Sequence, residues 1–422
     1  MIELIICYQQ NQIGTLQYET DTDNFTVSYT DEWNKQGFPL SPIIPLKKIS
    51  AGNPVKAFIE NLLPEGNALT ELSQFVGVSK HRPFTLLKTI GKEPTGAFKF
   101  VTDDCQTEKT CFIEITPDIL QNRIKMRESQ SLMIWDGKPR LSIAGVQQKL
   151  PIVELNGKFG FGEGNLASTH ILKFAKPHST LILNEYFSMK LAKSCGLNVA
   201  TVEILDFEGE AVLSVQRFDR RIKDEKVERL HIIDACQALG VLSSHKYEWS
   251  LGHGRDVANI RDGVSFKKLF AISEGCKIPF IAKQNIIRWL VFNLIIKNTD
   301  AHGKNISFFI NQSGMETTPF YDLINIGLYQ GEYDQNLAMA IGDSYIYEEL
   351  NSLDFKDLCS DCDIHPSTIK NIFEQLTKGM AQKLDDIATH INKAFYQNDF
   401  IEQYKQSVLE NIAFLKERIY SE

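Results

Sequence analysis

The chain has 422 residues, 43% hydrophobic and 23% charged, with a formal net charge of −8 and a pI of about 5.7. That length exceeds what one compact core supports and points to two or three units. The acidic balance argues against a surface that grips nucleic acid over its whole extent, leaving any anion contact to a local basic patch such as Arg217, Arg220, Arg221 and Lys223. Residues 3–8, 12–18 and 25–29 alternate apolar and polar between turn residues, which predicts antiparallel hairpins. Asn53-Pro54 opens a helix, with Asn as cap and Pro at the first position, and Pro64-Glu-Gly66 stops it. A second helix is expected over 68–76, then mixed structure to Val101, closing a small α+β unit of roughly a hundred residues.

Residues 107–128 read as a link. Strands are expected at 149–155, 158–161, 170–174, 199–207 and 211–217, with the Asn156-Gly157 hairpin turn between the first two. One helix, 183–194, interrupts them and ends at Gly196. From Ile232 onward apolar residues recur at helical spacing, predicting helices over 232–239, 266–273, 281–297, 354–359, 367–379, 380–395 and 400–418.

The start of the chain lacks a basic region followed by an apolar one, and no apolar run approaches the ~18 residues of a membrane helix. Eight cysteines scattered through a long chain suit free thiols in a reducing compartment, so a cytoplasmic protein is expected. Cys359-Ser-Asp-Cys362 with His365 looks like half a zinc site, but no second Cys/His pair stands nearby; two cysteines packed by helices is the plainer reading.

The chemistry concentrates in Asn298-Thr-Asp-Ala-His-Gly-Lys-Asn305 and Pro319-Phe-Tyr-Asp322. Asp300, Asn305 five residues later and Asp322 after a short hairpin have the layout of a phosphoryl-transfer site. One carboxylate takes a hydroxyl proton; an amide and a second carboxylate hold magnesium against nucleotide phosphates. The plainer alternative makes Asn298, Asp300 and Asn305 turn-formers at a helix end. Upstream, Lys173 sits mid-strand among apolar residues, where a buried ammonium needs an anionic partner, either phosphates or Glu185 on the next helix. An edge-strand lysine reaching water is the other possibility. For a phosphate-covering loop, composition favours Gly160-Phe-Gly-Glu-Gly164 over Leu141–Lys149, since such a loop needs exposed N–H groups and close backbone approach. A strand-rich half followed by a helical half carrying the acids matches a two-lobed kinase in its division of labour.

At these residues the chain resembles the HipA family of bacterial serine/threonine kinases, toxins of type II toxin–antitoxin pairs. The resemblance spans nearly the whole chain. It is carried by Phe58-Ile-Glu-Asn-Leu-Leu-Pro-Glu65, Ser142-Ile-Ala-Gly-Val-Gln-Gln-Lys149, Ile171-Leu-Lys-Phe174 and Asn184-Glu185 with Leu191-Ala192. Gln216-Arg-Phe-Asp-Arg220, Thr299-Asp-Ala-His-Gly-Lys-Asn305 and Tyr321-Asp-Leu323 complete it. The resemblance implies an α+β, two-lobed protein-kinase-like fold with a small N-terminal α+β subdomain. Its units would be 1–105, a strand-rich kinase lobe 106–231 and a helical lobe 232–422. It moves the phosphate loop to Ala144, Gly145, Val146, Gln147, Gln148 and Lys149. Asp300 becomes the catalytic base, Asn305 and Asp322 the magnesium ligands, and Lys173 the ATP-phosphate lysine. His302, Gly303, Lys304 and Tyr321 line the nucleotide side. The adenine hinge falls at Ile233, Asp234 and Ala235, with Ile233 standing where the family pattern is acidic. Ser142 would be an autophosphorylated off-switch. The implied substrate is a protein serine or threonine, in a translation component such as an aminoacyl-tRNA synthetase. The implied partner is a small DNA-binding, HipB-like antitoxin that makes the DNA contact itself. Two other functions stay open at this point: a small-molecule or lipid kinase of the same fold, and a non-catalytic scaffold that binds an antitoxin.

Overall fold

Alternation in the first strands sets their buried face. In the computed structural model, which describes every residue except 107–108, 141–147, 177–178, 224–225, 253, 255, 258, 396 and 421–422, β1 (Ile2–Tyr8), β2 (Asn11–Glu19) and β3 (Asn24–Tyr29) form a meander. Leu4 lies opposite Leu16, and Leu16 opposite Val27, so one face is continuously apolar. β4 (Ser50–Ala51) and β5 (Phe98–Val101) complete the sheet in the order β4-β3-β2-β1-β5. Helices α1 (Asp31–Gln36), α2 (Asn53–Asn61), α3 (Gly66–Val76) and α4 (Pro83–Ile90) accompany it. Val55, Phe58 and Ile59 of α2 are buried in the same apolar cluster as Leu4 and Phe25.

One expectation fails here. Cys7 of β1 and Cys105, just past β5, form a disulfide across a sequence separation of 98 residues. β5 runs antiparallel to β1 with Lys99 opposite Cys7, and the chain then returns to that thiol. Sequence spacing carries no sign of this. Cys195, Cys236, Cys276, Cys359 and Cys362 are free and buried, and Cys111 is free and exposed.

The second sheet is antiparallel. Its strands are β6 (Cys111–Glu114), β9 (Lys149–Leu155), β10 (Lys158–Glu163), β11 (His170–Lys173), β12 (Val202–Phe207) and β13 (Glu210–Gln216). They are ordered β12-β13-β11-β9-β10-β6, with a small hairpin of β7 (Ile134–Trp135) and β8 (Lys138–Pro139) alongside. The expected link thus supplies edge strand β6 and helix α5 (Pro117–Lys125), which packs Leu120 and Ile124 under the sheet. Asn156 and Gly157 both take positive φ, 52° and 74°, as a two-residue hairpin turn requires. Gly160 and Gly162 of the glycine run lie within β10, and Gly164 follows it at φ +71°. A Cβ on Gly160 would sit 2.5 Å from the Ile113 carbonyl, and one on Gly162 would sit 1.7 Å from that of Leu166. These glycines serve close backbone packing, which accounts for their conspicuous composition. On the opposite face, α6 (Leu181–Ser194) buries Tyr186, Phe187 and Leu191.

The anticipated basic patch also fails. Arg217 and Arg220, beside the hairpin β14 (Arg220–Lys223) and β15 (Lys226–Arg229), are buried on Asp219. Only Arg221 and Lys223 of that group face solvent.

The rest of the chain is largely helical. The helix expected over 232–239 divides: Ile232–Asp234 is strand β16, and only α7 (Ala235–Leu239) is helical. Ile232 and Ile233 pair with Phe309 and Phe308 of β17 (Ser307–Asn311), which leads into β18 (Gly314–Thr317). Asp234 then caps α7, accepting from the Gln237 N–H at 2.8 Å. Helices α8 (Phe266–Glu274) and α9 (Pro279–Ile295) follow, and α9 is buried from Trp289 to Ile295. The hairpin β19 (Asn336–Ile341) and β20 (Ser344–Ile346) precedes α10 (Ser352–Asp361), α11 (Pro366–Thr377), α12 (Met380–Phe395) and α13 (Asn398–Tyr420). Cys359 and Cys362 pack into the core at the end of α10, and His365 caps α11 by accepting from the Ser367 N–H. No helix among the described residues is long and apolar enough to cross a membrane.

Candidate active site

A lysine on β11 meets two carboxylates from different elements. Lys173 Nζ donates to Glu185 Oε1 of α6 at 2.5 Å and to Asp322 Oδ1 at 2.6 Å. The lysine and glutamate are buried, whereas Asp322 is a third exposed. Leaving any of these charges alone there would cost several kcal/mol, so the trio stands or falls together. Burial opposes ionisation of Asp322, but Lys173 and then Lys149 outweigh it and hold the carboxyl at about 2. Glu185 goes the other way: burial pushes it up to about 7 against the pull of Lys173. Lys149 lies directly opposite Lys173 in the β9–β11 ladder. Burial, then repulsion from Lys173, brings it down to about 8. The site therefore places two ammonium groups side by side, that of Lys149 with a lowered proton affinity.

The acids arrive on a tightly tied loop. At the end of α9, Asn298 donates through its N–H to Asn293 O and through Nδ2 to Asn293 Oδ1, both at 2.8 Å. Asn298 is thus a turn-former, as the plainer reading had it. Asp300 O accepts from the His302 N–H at 2.8 Å and from Asn305 Nδ2 at 3.0 Å. That spends the nitrogen of the Asn305 amide on the loop and leaves its oxygen as the group able to meet a cation. The Asp300 carboxylate is held instead by the Tyr247 hydroxyl, which donates to Oδ1 at 2.7 Å. The Tyr247 ring meets His302 edge-on, centroids 5.1 Å apart. Burial lowers His302 and favours its neutral form. Asp322 has φ +60°, a conformation Asp tolerates better than most residues. Tyr321 beside it donates its hydroxyl to Lys304 O at 2.7 Å, tying the two acid-bearing segments together.

Gly303 is wedged against Val264, where a Cβ would come within 2.5 Å of a methyl. The Lys304 ammonium turns to Asp234 Oδ2 at 2.7 Å and Asn61 Oδ1 at 2.9 Å, with Glu65 Oε1 at 3.8 Å. Glu65 also pairs with Lys246 at 2.8 Å. At the expected hinge, Ile233 is fully buried in the β16–β17 ladder. The Ala235 N–H donates to Gly303 O and Ile306 O, both at 3.1 Å. Gln148 and Lys149 are placed at the start of β9, with Gln148 O accepting from the Phe174 N–H. Ser142, Ala144, Gly145, Val146 and Gln147 lie outside the described residues. The structure thus brings Lys149, Lys173, Glu185, Asp322, Asn305, His302 and Asp300 into one region. Tyr247 and Lys246 join it from positions that no sequence spacing marked, and Asn61 and Glu65 join it from the Phe58–Glu65 motif, which had no role in the site.

A strand-rich lobe that supplies the lysine and a helical lobe that supplies the acids make this an α+β, two-lobed fold of the protein-kinase kind. The whole chain superposes on the HipA, HipB and operator DNA complex of Shewanella oneidensis MR-1 with a TM-score of 0.88 and 40% identity, over 97% of this chain and 96% of that one. A model of the HipA-like C-terminal domain matches residues 141–384, and one of the HipA N-terminal domain matches 4–101. The chain belongs to the HipA family of serine/threonine protein kinases. It is 46% identical to the serine/threonine-protein kinase toxin HipA of Shewanella oneidensis over 335 residues, 79% of this chain and 77% of that protein. Its identity to the putative kinase Y4mE of Sinorhizobium fredii is 29% over 381 residues, 85% and 86% of the two chains.

Proposed function

We propose that this HipA-like kinase toxin transfers the γ-phosphoryl group of ATP to a protein serine or threonine, with Asp300 as the proton acceptor. The observation that carries the reading is Lys173, held between Glu185 and Asp322 at 2.5 and 2.6 Å. That contact joins the strand-rich and helical parts and poises one ammonium for phosphate oxygens. In the reaction the acceptor hydroxyl oxygen bonds to the γ-phosphorus, the bond from that phosphorus to the ADP oxygen breaks, and the hydroxyl proton passes to Asp300. Lys173 and Lys149 meet phosphate charge, and His302, Gly303, Lys304 and Tyr321 shape the nucleotide side. Backbone groups near Ile233, Asp234 and Ala235 would face adenine.

The donor set fits magnesium. Asn305 keeps an amide oxygen unspent by its loop, and Asp322 is an ionised carboxylate one of whose oxygens is bonded to Lys173. No group of three or more His, Cys, Asp or Glu side chains suited to a metal occurs among the described residues. Phosphate and water oxygens would therefore complete the shell. Bound there, magnesium would neutralise phosphate charge and favour in-line geometry.

Units 1–105, 106–231 and 232–422 would act as N-terminal subdomain, nucleotide lobe and catalytic lobe. The solved Shewanella relative is a complex with HipB and operator DNA. That supports a small HipB-like antitoxin as partner here, with DNA reached through it, in the cytoplasm. A translation component such as an aminoacyl-tRNA synthetase is the proposed substrate. Ser142, beside the proposed loop Ala144–Lys149, is the proposed self-phosphorylated off-switch. The test is phosphorylation of cell lysate with Mg-ATP by wild type, Asp300→Ala and Asp322→Ala, read by phosphoproteomics. Transfer to one or a few proteins and to Ser142 by wild type only is expected. Equal transfer by Asp300→Ala would overturn the assignment.

A further inference from the structure

The N-terminal unit reaches the catalytic loop through Asn61 and the largely enclosed carboxylate of Glu65. Glu65 follows α2 and stands just before α3, its side chain making no cap to that helix. Its Oε2 takes Lys246 Nζ at 2.8 Å, and its Oε1 lies 3.8 Å from Lys304 Nζ. Asn61, at the end of α2, adds its Oδ1 to Lys304 at 2.9 Å and donates Nδ2 to Val241 O at 2.9 Å. Burial opposes ionisation of Glu65, but Lys304 and Lys246 outweigh it and lower its pKa.

Both lysines bear on the segment that carries Asp300. Lys304 stands between His302 and Asn305, and its carbonyl accepts from Tyr321 beside Asp322. The Lys246 carbonyl accepts from the Gly303 N–H at 2.9 Å, and the next residue is Tyr247, whose hydroxyl holds Asp300. One carboxylate therefore adds its charge to Asp234 and Asn61 at Lys304 and, through a direct ion pair with Lys246, backs the tyrosine that orients the Asp300 side chain. Without it, Lys246 would lose its carboxylate partner and Lys304 would keep only Asp234 and Asn61, a poorly compensated arrangement for two buried ammonium groups.

We infer that Glu65 is a positioning residue for phosphoryl transfer, by which the N-terminal unit sets the geometry of Asp300 through Lys304 and Lys246. The inference rests on the kinase reading above and gives the segment Phe58–Glu65 a mechanical role. Errors of about 1 Å at a reacting group cost on the order of a hundredfold in rate. Glu65 touches neither proposed substrate, and its direct ion pair leads through Lys246 to Tyr247 and Asp300, while Asp234 and Asn61 still hold Lys304, so its loss should fall on kcat more than on nucleotide affinity.

The test is steady-state phosphoryl transfer by the full chain, with KM for ATP and thermal melting measured in parallel, for wild type, Glu65→Gln and Asp300→Ala. The expected result is a kcat for Glu65→Gln at least tenfold below wild type, with KM for ATP within twofold and a cooperative melt. A kcat within twofold of wild type, or a loss that falls on KM alone, would overturn the inference. If Glu65→Gln does not fold, Lys246→Gln, which removes the same ion pair from its other side, decides by the same two constants. Absence of Asp300-dependent transfer in wild type would remove the kinase reading itself. An active wild type with an unaffected Glu65→Gln removes only the positioning role.

Discussion

The Tyr247 hydroxyl donates to Asp300 Oδ1 at 2.7 Å, across 53 residues of sequence. The carboxylate proposed to receive a substrate proton thus has one oxygen fixed by a neutral phenol, while the other remains for the acceptor hydroxyl. Hydrogen bonds to charged groups contribute roughly 1.5–3 kcal/mol. Tyr247→Phe is expected to lower kcat about tenfold, equivalent to ~1.4 kcal/mol, and to leave KM for ATP within twofold. A rise in kcat would mean that the phenol obstructs the acceptor rather than orienting the base.

Lys149 supplies a pH signature. Burial and Lys173 bring its pKa down to about 8, so its charge is present at pH 7 and lost as pH rises through that value. If it meets ATP phosphates, KM for ATP should climb between pH 7 and 9. Lys149→Arg, whose guanidinium stays protonated throughout, should flatten that climb. Initial-rate titrations of ATP across this range check it.

Asp219 is the hub of a buried cluster. It accepts from Arg217 Nε and Nη2 at 3.0 and 2.8 Å and from Arg220 Nη1 at 2.6 Å. Glu93 of the N-terminal unit joins by accepting from Ser168 Oγ at 2.6 Å, which also takes Arg217 Nη1. Asp219→Ala would leave two guanidiniums buried without their main partner and should cost roughly 3–5 kcal/mol in denaturant unfolding. Burial opposes ionisation of Asp219, but Arg217 and then Arg220 depress its pKa well below the usual carboxylate range. A depressed carboxyl stabilises the fold above its unfolded value, roughly pH 4, and that stabilisation is lost on further acidification. Stability curves of wild type should therefore drop below about pH 4, and those of Asp219→Asn should drop less.

The Cys7–Cys105 disulfide closes a long loop of the N-terminal unit. In the chain-entropy account a loop of about a hundred residues is stabilised by roughly 4–5 kcal/mol when cross-linked. Reduction by dithiothreitol should lower the melting temperature of the oxidised protein and leave Cys105→Ser unchanged. Equal melting of oxidised and reduced wild type would show that the bond adds nothing to stability.

Local patterns carried much of this fold. Alternation located β1 to β3, Asn156-Gly157 located a hairpin, and helical spacing located α9 and the C-terminal helices. The order of Lys173, Asp300, Asn305 and Asp322 was legible as phosphate chemistry because those side chains sit on short, recognisable segments. The same method misread residues 232–234 as helix, since two isoleucines fit either period until Phe308 and Phe309 arrive to pair with them. It weighted Gly160–Gly164 for phosphate because composition does not distinguish a glycine that frees the backbone from one that admits a neighbouring strand.

The sequence by itself thus determined the class of enzyme and pointed to the residues proposed to bear its charges, because motif, order and periodicity are local properties. The tertiary structure decided what holds those charges in place. Tyr247 on Asp300, Glu65 on Lys246 and Lys304, Asp219 under two arginines and Cys7 on Cys105 each join positions distant in the chain or set in burial. The energy of such contacts depends on distance and on exclusion of water, and neither exists until the units pack together.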